Sequence, residues 1–502
     1  MRAIVALLIV MTGASVMAAE NAPPNTAPAG ALTQGATRID AQTATLKAGD
    51  LEGTVVTNAN TDWHHPGYNG MARLLHKGQA QPLFIPHLAG FNFEHIFDGQ
   101  DAGFSPRGGK LSLWRFGEQS VGLYRAPEDC PYGLESMTRF TLVAPNYIDV
   151  EFTAVPRKAK YASDYIGMFW ASYINNPRDR AINFLGHDTD DAKSPSRWIT
   201  ATSPAHDDQS THVAGFEPAV WKSVDTQKWP GLAAHFSKYQ FDAPFYFGRV
   251  RNMVWVYMFD SKAISDTQTL RFSQSPTGGG DLNPAWDFHV VVRSYKVDQP
   301  FSWRARCIYK PYVSAADVLK EYLTWSGRKD LQTPAKEPEH GEMLPPSSVN
   351  VTVKSIGQAI RVDKTGFQWF KLATPLKKDK GESVGVWFSA GKSGGANRYG
   401  NKRTHWVYWA VDIKEPKAGQ ELGMGRYGYP IFTGYRTAAG VEKLRTEEGG
   451  GEDGTSTGLA YDPLLQESAP GEVNAFYWYG YEGQTLMPVI LSAPAKEQPE
   501  QE

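Results

Sequence analysis

The chain is short of cysteine, carries no excess of one charge and, past its first residues, has no long apolar run. Each shortage removes a class of protein. Two cysteines in 502 residues, Cys130 and Cys307, cannot staple a disulfide-rich scaffold. A single bridge and two buried thiols both remain open for them, and neither has a second Cys or a His at ligand spacing. A formal charge of −2 supplies no basic field for nucleic acid or an anionic membrane surface. No segment after residues 1–19 is apolar enough to cross a bilayer. Neither a Gly-x-Ser-x-Gly elbow nor a dinucleotide fingerprint occurs, which disfavours serine hydrolysis and nicotinamide chemistry. Gly391-Lys392-Ser393 lacks phosphate-loop spacing, and neither the acidic loop Gly186 to Asp191 nor the His206 to His212 cluster forms a full metal motif. No cofactor and no metal is expected.

What is present begins with an export pattern. Met1-Arg2, the apolar run Ala3 to Val16 and the small residues before Ala19-Glu20 read as a secretory signal over residues 1–19, which implies a periplasmic or extracellular protein. Residues 20–49, rich in Ala, Pro, Thr and Asn, read as a flexible leader. From there to Pro311 the chain is a series of short strand-like runs broken by Gly, Pro, Asn and Asp. They are Lys110 to Phe116, Met137 to Val143, Ile148 to Val155, Ile166 to Tyr173, Met253 to Phe259, Phe288 to Tyr295 and Ser302 to Tyr309. Ser314 with Asp317 caps one helix that closes this unit.

A Pro-rich linker over 328–348 leads to further strands at Val351 to Ile356, Gln368 to Leu372, Val384 to Phe388, His405 to Ile413 and Ala475 to Tyr481. A Gly-rich loop from Glu447 and an acidic tail over 493–502 complete the chain. The expected class is all-β: a large two-sheet antiparallel sandwich over 50–327, then a smaller sandwich or jelly roll over 349–492.

Chemistry is suggested where polar groups stand inside aromatic runs, as a sugar cleft requires. Trp63-His64-His65 is one such place, although adjacent histidines in a strand would face opposite ways. In Ala285 to Arg293, alternation sends Trp286, Phe288, Val290 and Val292 to one face and Asp287, His289 and Arg293 to the other. From Phe91 to Asp98 it groups Phe91, Phe93, His95 and Phe97, and leaves Asn92, Glu94 and Asp98 opposite, with Glu94 a solvated acid or edge partner. Glu135 and Arg139 share a face about 13 Å apart, so each needs a partner on a neighbouring strand, either in a surface charge ladder or across a cleft.

The runs Trp63 to Gly67, Asn92 to Ile96, Leu134 to Ser136, Ile166 to Tyr173 and Gln274 to Phe288 resemble a group of secreted bacterial proteins with a galactose-mutarotase-like sandwich, over about residues 55–312. The resemblance implies a double-sheet domain of the kind that hosts aldose mutarotases, glycoside hydrolases and polysaccharide lyases, with sugar on a concave sheet face. The histidine and glutamate motifs of true aldose mutarotases are missing, so epimerase activity is not part of the expectation. The leading expectation is an exported protein that binds and processes a poly- or oligosaccharide. His95 or His289 would be acid or base and Glu135 the partner carboxylate. Trp63, His64, His65, Arg139, Trp286, Asp287 and Arg293 would bind the sugar. The rival is a non-catalytic glycan-binding or envelope scaffold protein.

Overall fold

In the Met253–Phe259 strand every residue is buried, because both faces are covered. Met253, Trp255, Tyr257 and Phe259 enter the central core, while Val254, Val256 and Met258 meet a second cluster built with Val318, Leu319 and Tyr322 of the Ala315–Ser326 helix. That helix starts where the sequence places it, with the Ser314 hydroxyl accepting from the Asp317 backbone N–H at 3.1 Å. Burial of this many large side chains contributes about 1.5–3 kcal/mol each relative to exposure.

The computed structural model describes residues 30–341 except 62, 101–102, 192–194 and 280–282, and residues 348–492 except 390–406, 412, 428–433, 444–457 and 462–468. The export signal, the acidic tail and most of the Gly-rich loop therefore lie outside the described residues.

The principal sheet has 16 strands. One flank runs Thr37–Ile39, Ser112–Gly117, Ser120–Arg125, Leu134–Val143, Tyr147–Pro156, Phe301–Pro311 and Met253–Phe259. The other ends Gln268–Ser275, Ala285–Arg293, Tyr165–Ala171 and Asn92–Phe97. The sheet folds over so that the flanks face each other: Phe152 meets Trp170 with centroids 4.9 Å apart, and Phe288 meets Trp303 at 5.2 Å. The two layers of the sandwich are thus continuous through Phe245–Val250, Ile182–Asp188, Phe236–Phe241 and Thr211–Ala214. Pairing is antiparallel in every described ladder except Thr211–Ala214 with Phe236–Phe241, which is parallel.

A leader that stays flexible to about Ala48 is corrected. Thr43–Ala48 is a strand paired with Leu51–Val56, and Thr37–Ile39 pairs with Ser112–Gly117. Ala44, Leu46 and Ala48 are buried while Thr45 and Lys47 are exposed, an alternation hidden by small residues and by the polar residues around it. Cys130 and Cys307 are both buried and free.

Residues 348–492 form a seven-stranded and a four-stranded sheet. Val384, Val386, Phe388, Leu486 and Ile490 of the first pack on Phe370, Leu372, Val473, Phe476 and Trp478 of the second, so this part is a smaller sandwich. Residues 328–341 carry neither helix nor strand.

Candidate functional site

Glu94 owes its position to a β-bulge. Phe93 pairs with Trp170 and His95 with Phe169, which leaves Glu94 as the extra residue, and a bulge re-aims the side chains on either side of it. Phe93 stacks on Trp170 at 4.9 Å in the core, whereas the Glu94 carboxylate and the His95 Nε2 come within 3.8 Å of each other. The expected grouping of Phe93 with His95 and Phe97 on one face is therefore corrected, and so is Glu94 as a solvated acid. Glu94 is buried.

Its carboxylate is held on both oxygens. Oε1 accepts from Arg107 Nη2 at 2.6 Å, and Oε2 accepts from the Tyr173 hydroxyl at 2.6 Å and from Asn92 Nδ2 at 2.9 Å. Burial pushes the Tyr173 pKa well up, and the Glu94 charge pushes it further, so its hydroxyl remains a donor. Burial opposes the Arg107 charge, but Glu94, Tyr173 and Tyr68 outweigh it and hold that pKa above its ordinary value. The guanidinium lies 4.2 Å from the Tyr68 ring and 4.3 Å from that of Phe104. Phe104 also covers His95, with centroids 4.2 Å apart, and is 52% exposed. A carboxylate, an imidazole, a phenol and a guanidinium thus converge beneath one exposed aromatic ring.

The loop that carries Arg107 is fastened through its carbonyls. Buried Arg125 donates to the carbonyls of Ser105 (3.2 Å), Pro106 and Gly108 (3.1 Å). Asn58 Nδ2 donates to Arg107 O at 2.9 Å and Gly109 O at 2.8 Å. Gly109 has φ +69°, and a Cβ there would stand 1.9 Å from the Asp129 carbonyl, so this turn requires glycine. Beside the loop opens a cavity of about 730 Å³ whose lining includes Arg38, Arg107, Lys110, Trp114, Tyr124 and Asp129.

The remaining nominated residues are dispersed. Glu135 is buried in a structural network, accepting from Arg157 Nε at 2.7 Å and from the Tyr124 hydroxyl at 3.1 Å. Arg139 is part of a surface ladder, 3.2 Å from its cross-strand partner Glu151, which corrects its reading as a cleft anchor. Such exposed pairs contribute about 0–1 kcal/mol, so Arg139→Ala is expected to change stability by less than about 1 kcal/mol and sugar binding not at all, as read by denaturant titration and calorimetry.

Trp286 is wholly core, donating to Arg180 O at 3.1 Å. Asp287 and His289 do share the opposite face, but Trp221 and Trp229 close over that face, so it is no open stripe. Asp287 Oδ1 accepts from the Ser172 N–H at 3.0 Å. Burial raises its pKa well above the ordinary carboxyl range, partly offset by that hydrogen bond and reinforced by the Glu94 charge. Burial and the Arg271 charge push the His289 pKa well down. Its Nδ1 lies 3.2 Å from the Ser273 hydroxyl. Arg293 donates to Val220 O at 3.1 Å and borders a smaller cavity of about 230 Å³.

The Trp63 to His65 run is loop rather than strand. Trp63 packs under Arg73 at 4.4 Å, His65 lies against His87 with centroids 4.7 Å apart, and the buried His64 ring bridges the carbonyls of Pro86 (2.8 Å) and Tyr68 (3.0 Å). Of the nominated residues, His95 alone belongs to the Glu94 cluster, while Arg107 and Tyr173 were not nominated. Arg107 sits in Pro106-Arg107-Gly108-Gly109, where a cation among turn residues is a usable signal.

His212 illustrates the buried imidazoles. Burial holds its pKa down to about 3, and the neutral ring fits its partners, donating from Nδ1 to Ser237 Oγ at 2.6 Å and accepting at Nε2 from Gln274 Nε2 at 3.1 Å. The unfolded chain takes up this proton near pH 6.5 and the folded chain does not. The stability contribution is therefore full above pH 6.5 and is lost as pH falls toward 3. His212→Asn is expected to flatten the acid limb of stability by about 1.4 kcal/mol per pH unit in that window, measured by urea titration.

No protein-family model matches the chain, and no curated protein matches it in sequence. Solved structures do match in shape. An aldose 1-epimerase candidate from Escherichia coli K12 is 10% identical, with 54% of this chain and 99% of that chain covered and a TM-score of 0.32. A galactose mutarotase related enzyme from Lactobacillus acidophilus is 9% identical, with 54% and 100% covered and a TM-score of 0.30. A Paenibacillus xanthan lyase is 7% identical, with 92% of this chain but 52% of the lyase covered and a TM-score of 0.29.

Proposed function

We propose that the protein is an exported carbohydrate-active protein that binds and processes a poly- or oligosaccharide at the Glu94, His95, Arg107 and Tyr173 cluster of the larger sandwich, with the smaller sandwich as an accessory unit. The observation that carries this reading is the bulge. It spends two consecutive residues on an acid–base pair, roofs the pair with exposed Phe104, and does so beside a cavity that shares Arg107.

Lyase-type elimination fits these groups better than hydrolysis. A hydrolase flanks the bond with two carboxyl groups at a defined separation, and Asp287, whose carboxyl senses the Glu94 charge, is sealed inside the sheet. Elimination needs one base and one cation. His95, oriented by Glu94, would take the proton beside the sugar carboxylate while Arg107 offsets the charge that develops there. The C–O bond on the neighbouring carbon breaks, a C=C bond forms, and the departing oxygen takes a proton from the imidazolium or from water.

The test is incubation of the mature protein with neutral and uronate-containing glycans, reading new reducing ends and the absorbance of unsaturated products together. Unsaturated products support this reading, and reducing ends without unsaturation replace lyase with hydrolase. Binding with no product across the panel leaves the glycan-binding scaffold.

A further inference from the structure

We propose that the cavity of about 730 Å³ beside the Arg107 loop is a subsite for an anionic saccharide, gripped by Arg38, Lys110 and the Trp114–Tyr124 wall. The proposal deepens the reading above, since it names the substrate class, but it rests on residues outside the Glu94 cluster.

Charge carries the argument first. The cavity is lined by Arg38, Arg107 and Lys110 against one carboxylate, Asp129, in a chain whose formal charge is −2. The excess is therefore local. Arg107 already holds Glu94, whereas Arg38 and Lys110 are exposed and neither makes an ion pair among the described residues. Two long cations left uncompensated on one wall raise the local concentration of anions and reward a ligand that brings its own carboxylate or sulfate.

Shape and rigidity point the same way. The volume falls within the usual range for small-ligand sites and suits a few sugar rings. Trp114 and Tyr124 meet edge to face at 6.1 Å, and the indole N–H donates to Ser112 Oγ at 3.0 Å, which fixes an aromatic surface of the kind sugar C–H faces pack on. The opposite rim, Arg107 to Gly109, is pinned by Asn58 and Arg125. A site already ordered before the ligand arrives loses little entropy on binding. Arg107 belongs both to this lining and to the Glu94 cluster, so the cavity and the cluster are joined through one residue.

The experiment is calorimetric titration of the full chain with three probes: a galacturonate tetramer, its methyl ester and a sulfated galactan oligomer. The acid is expected to bind at least tenfold more tightly than the ester and to weaken as salt rises. The Arg38→Ala/Lys110→Ala variant, whose changes are at exposed positions, is expected to fold normally by circular dichroism and to lose at least tenfold in affinity for the acid. Binding of the sulfated oligomer in place of the acid identifies sulfate as the anion and keeps the subsite. Equal binding of acid and ester, full affinity in the double variant, or no binding of either anionic probe overturns it. Unsaturated product together with equal binding of acid and ester sinks the subsite and spares the proposed activity. Binding that depends on Arg38 and Lys110 without any product does the reverse.

Discussion

Glu94→Gln is expected to lower product formation at least about 100-fold while leaving the protein folded and able to bind sugar. The side chain keeps its shape, but it loses the charge that holds Arg107 at 2.6 Å and faces His95 Nε2 at 3.8 Å. Removing an acid–base partner of this kind commonly costs 10²–10⁴ in rate. The variant also leaves a partly buried guanidinium without its carboxylate, so a stability loss of about 1–3 kcal/mol should accompany the loss of rate. The discriminating readout is the split between kcat and KM: kcat should fall while KM changes little. A variant that turns over within a few-fold of the parent would reduce Glu94 to a packing residue.

Arg125→Leu should have the largest effect on stability, lowering it by about 3 kcal/mol or more in denaturant titration. The guanidinium is buried, and burial lowers its pKa to about 10, yet it remains the donor to three loop carbonyls. Leucine leaves those acceptors without their charged donor, and hydrogen bonds from a charged group contribute about 1.5–3 kcal/mol each. The functional consequence separates this loop from an ordinary brace. If the Arg125 contacts position Arg107, saccharide affinity and turnover should both fall under conditions where the variant is still fully folded, whereas a bystander would lose stability alone. Asn58→Ala, which removes the second fastening, should give the same pattern at about half the size.

Strands were legible because their burial is two-sided or strictly alternating. Met253–Phe259 occupies the residues that its composition marks, and the Ser314 cap begins the helix as its spacing requires. The site was less legible for two physical reasons. A bulge shifts the phase of a strand without leaving any mark in composition, so Glu94 was sent to solvent when it belongs with His95. Coverage is tertiary: Asp287 and His289 look like an open polar stripe until Trp221 and Trp229, more than 50 residues earlier, are laid over them. Arg107 acquires its role wholly from long-range partners, Tyr173 and Glu94 among them, and no local pattern announces that.

The strand order also dictates when the site can exist during folding. Among the described residues Asn92–Phe97 pairs with one strand, Tyr165–Ala171, and that strand is held by Ala285–Arg293, while the opposite layer closes through Tyr147–Pro156 against Phe301–Pro311. Contacts spanning 70 to 161 residues close late, because the loop entropy has to be lost before the packing gain arrives. A nascent or truncated chain ending before Ala285 carries Glu94, His95, Arg107 and Tyr173 but lacks the strand that holds Tyr165–Ala171 in the sheet. The Glu94 cluster is therefore expected to become ordered late, once Ala285–Arg293 has joined the sheet beside Tyr165–Ala171.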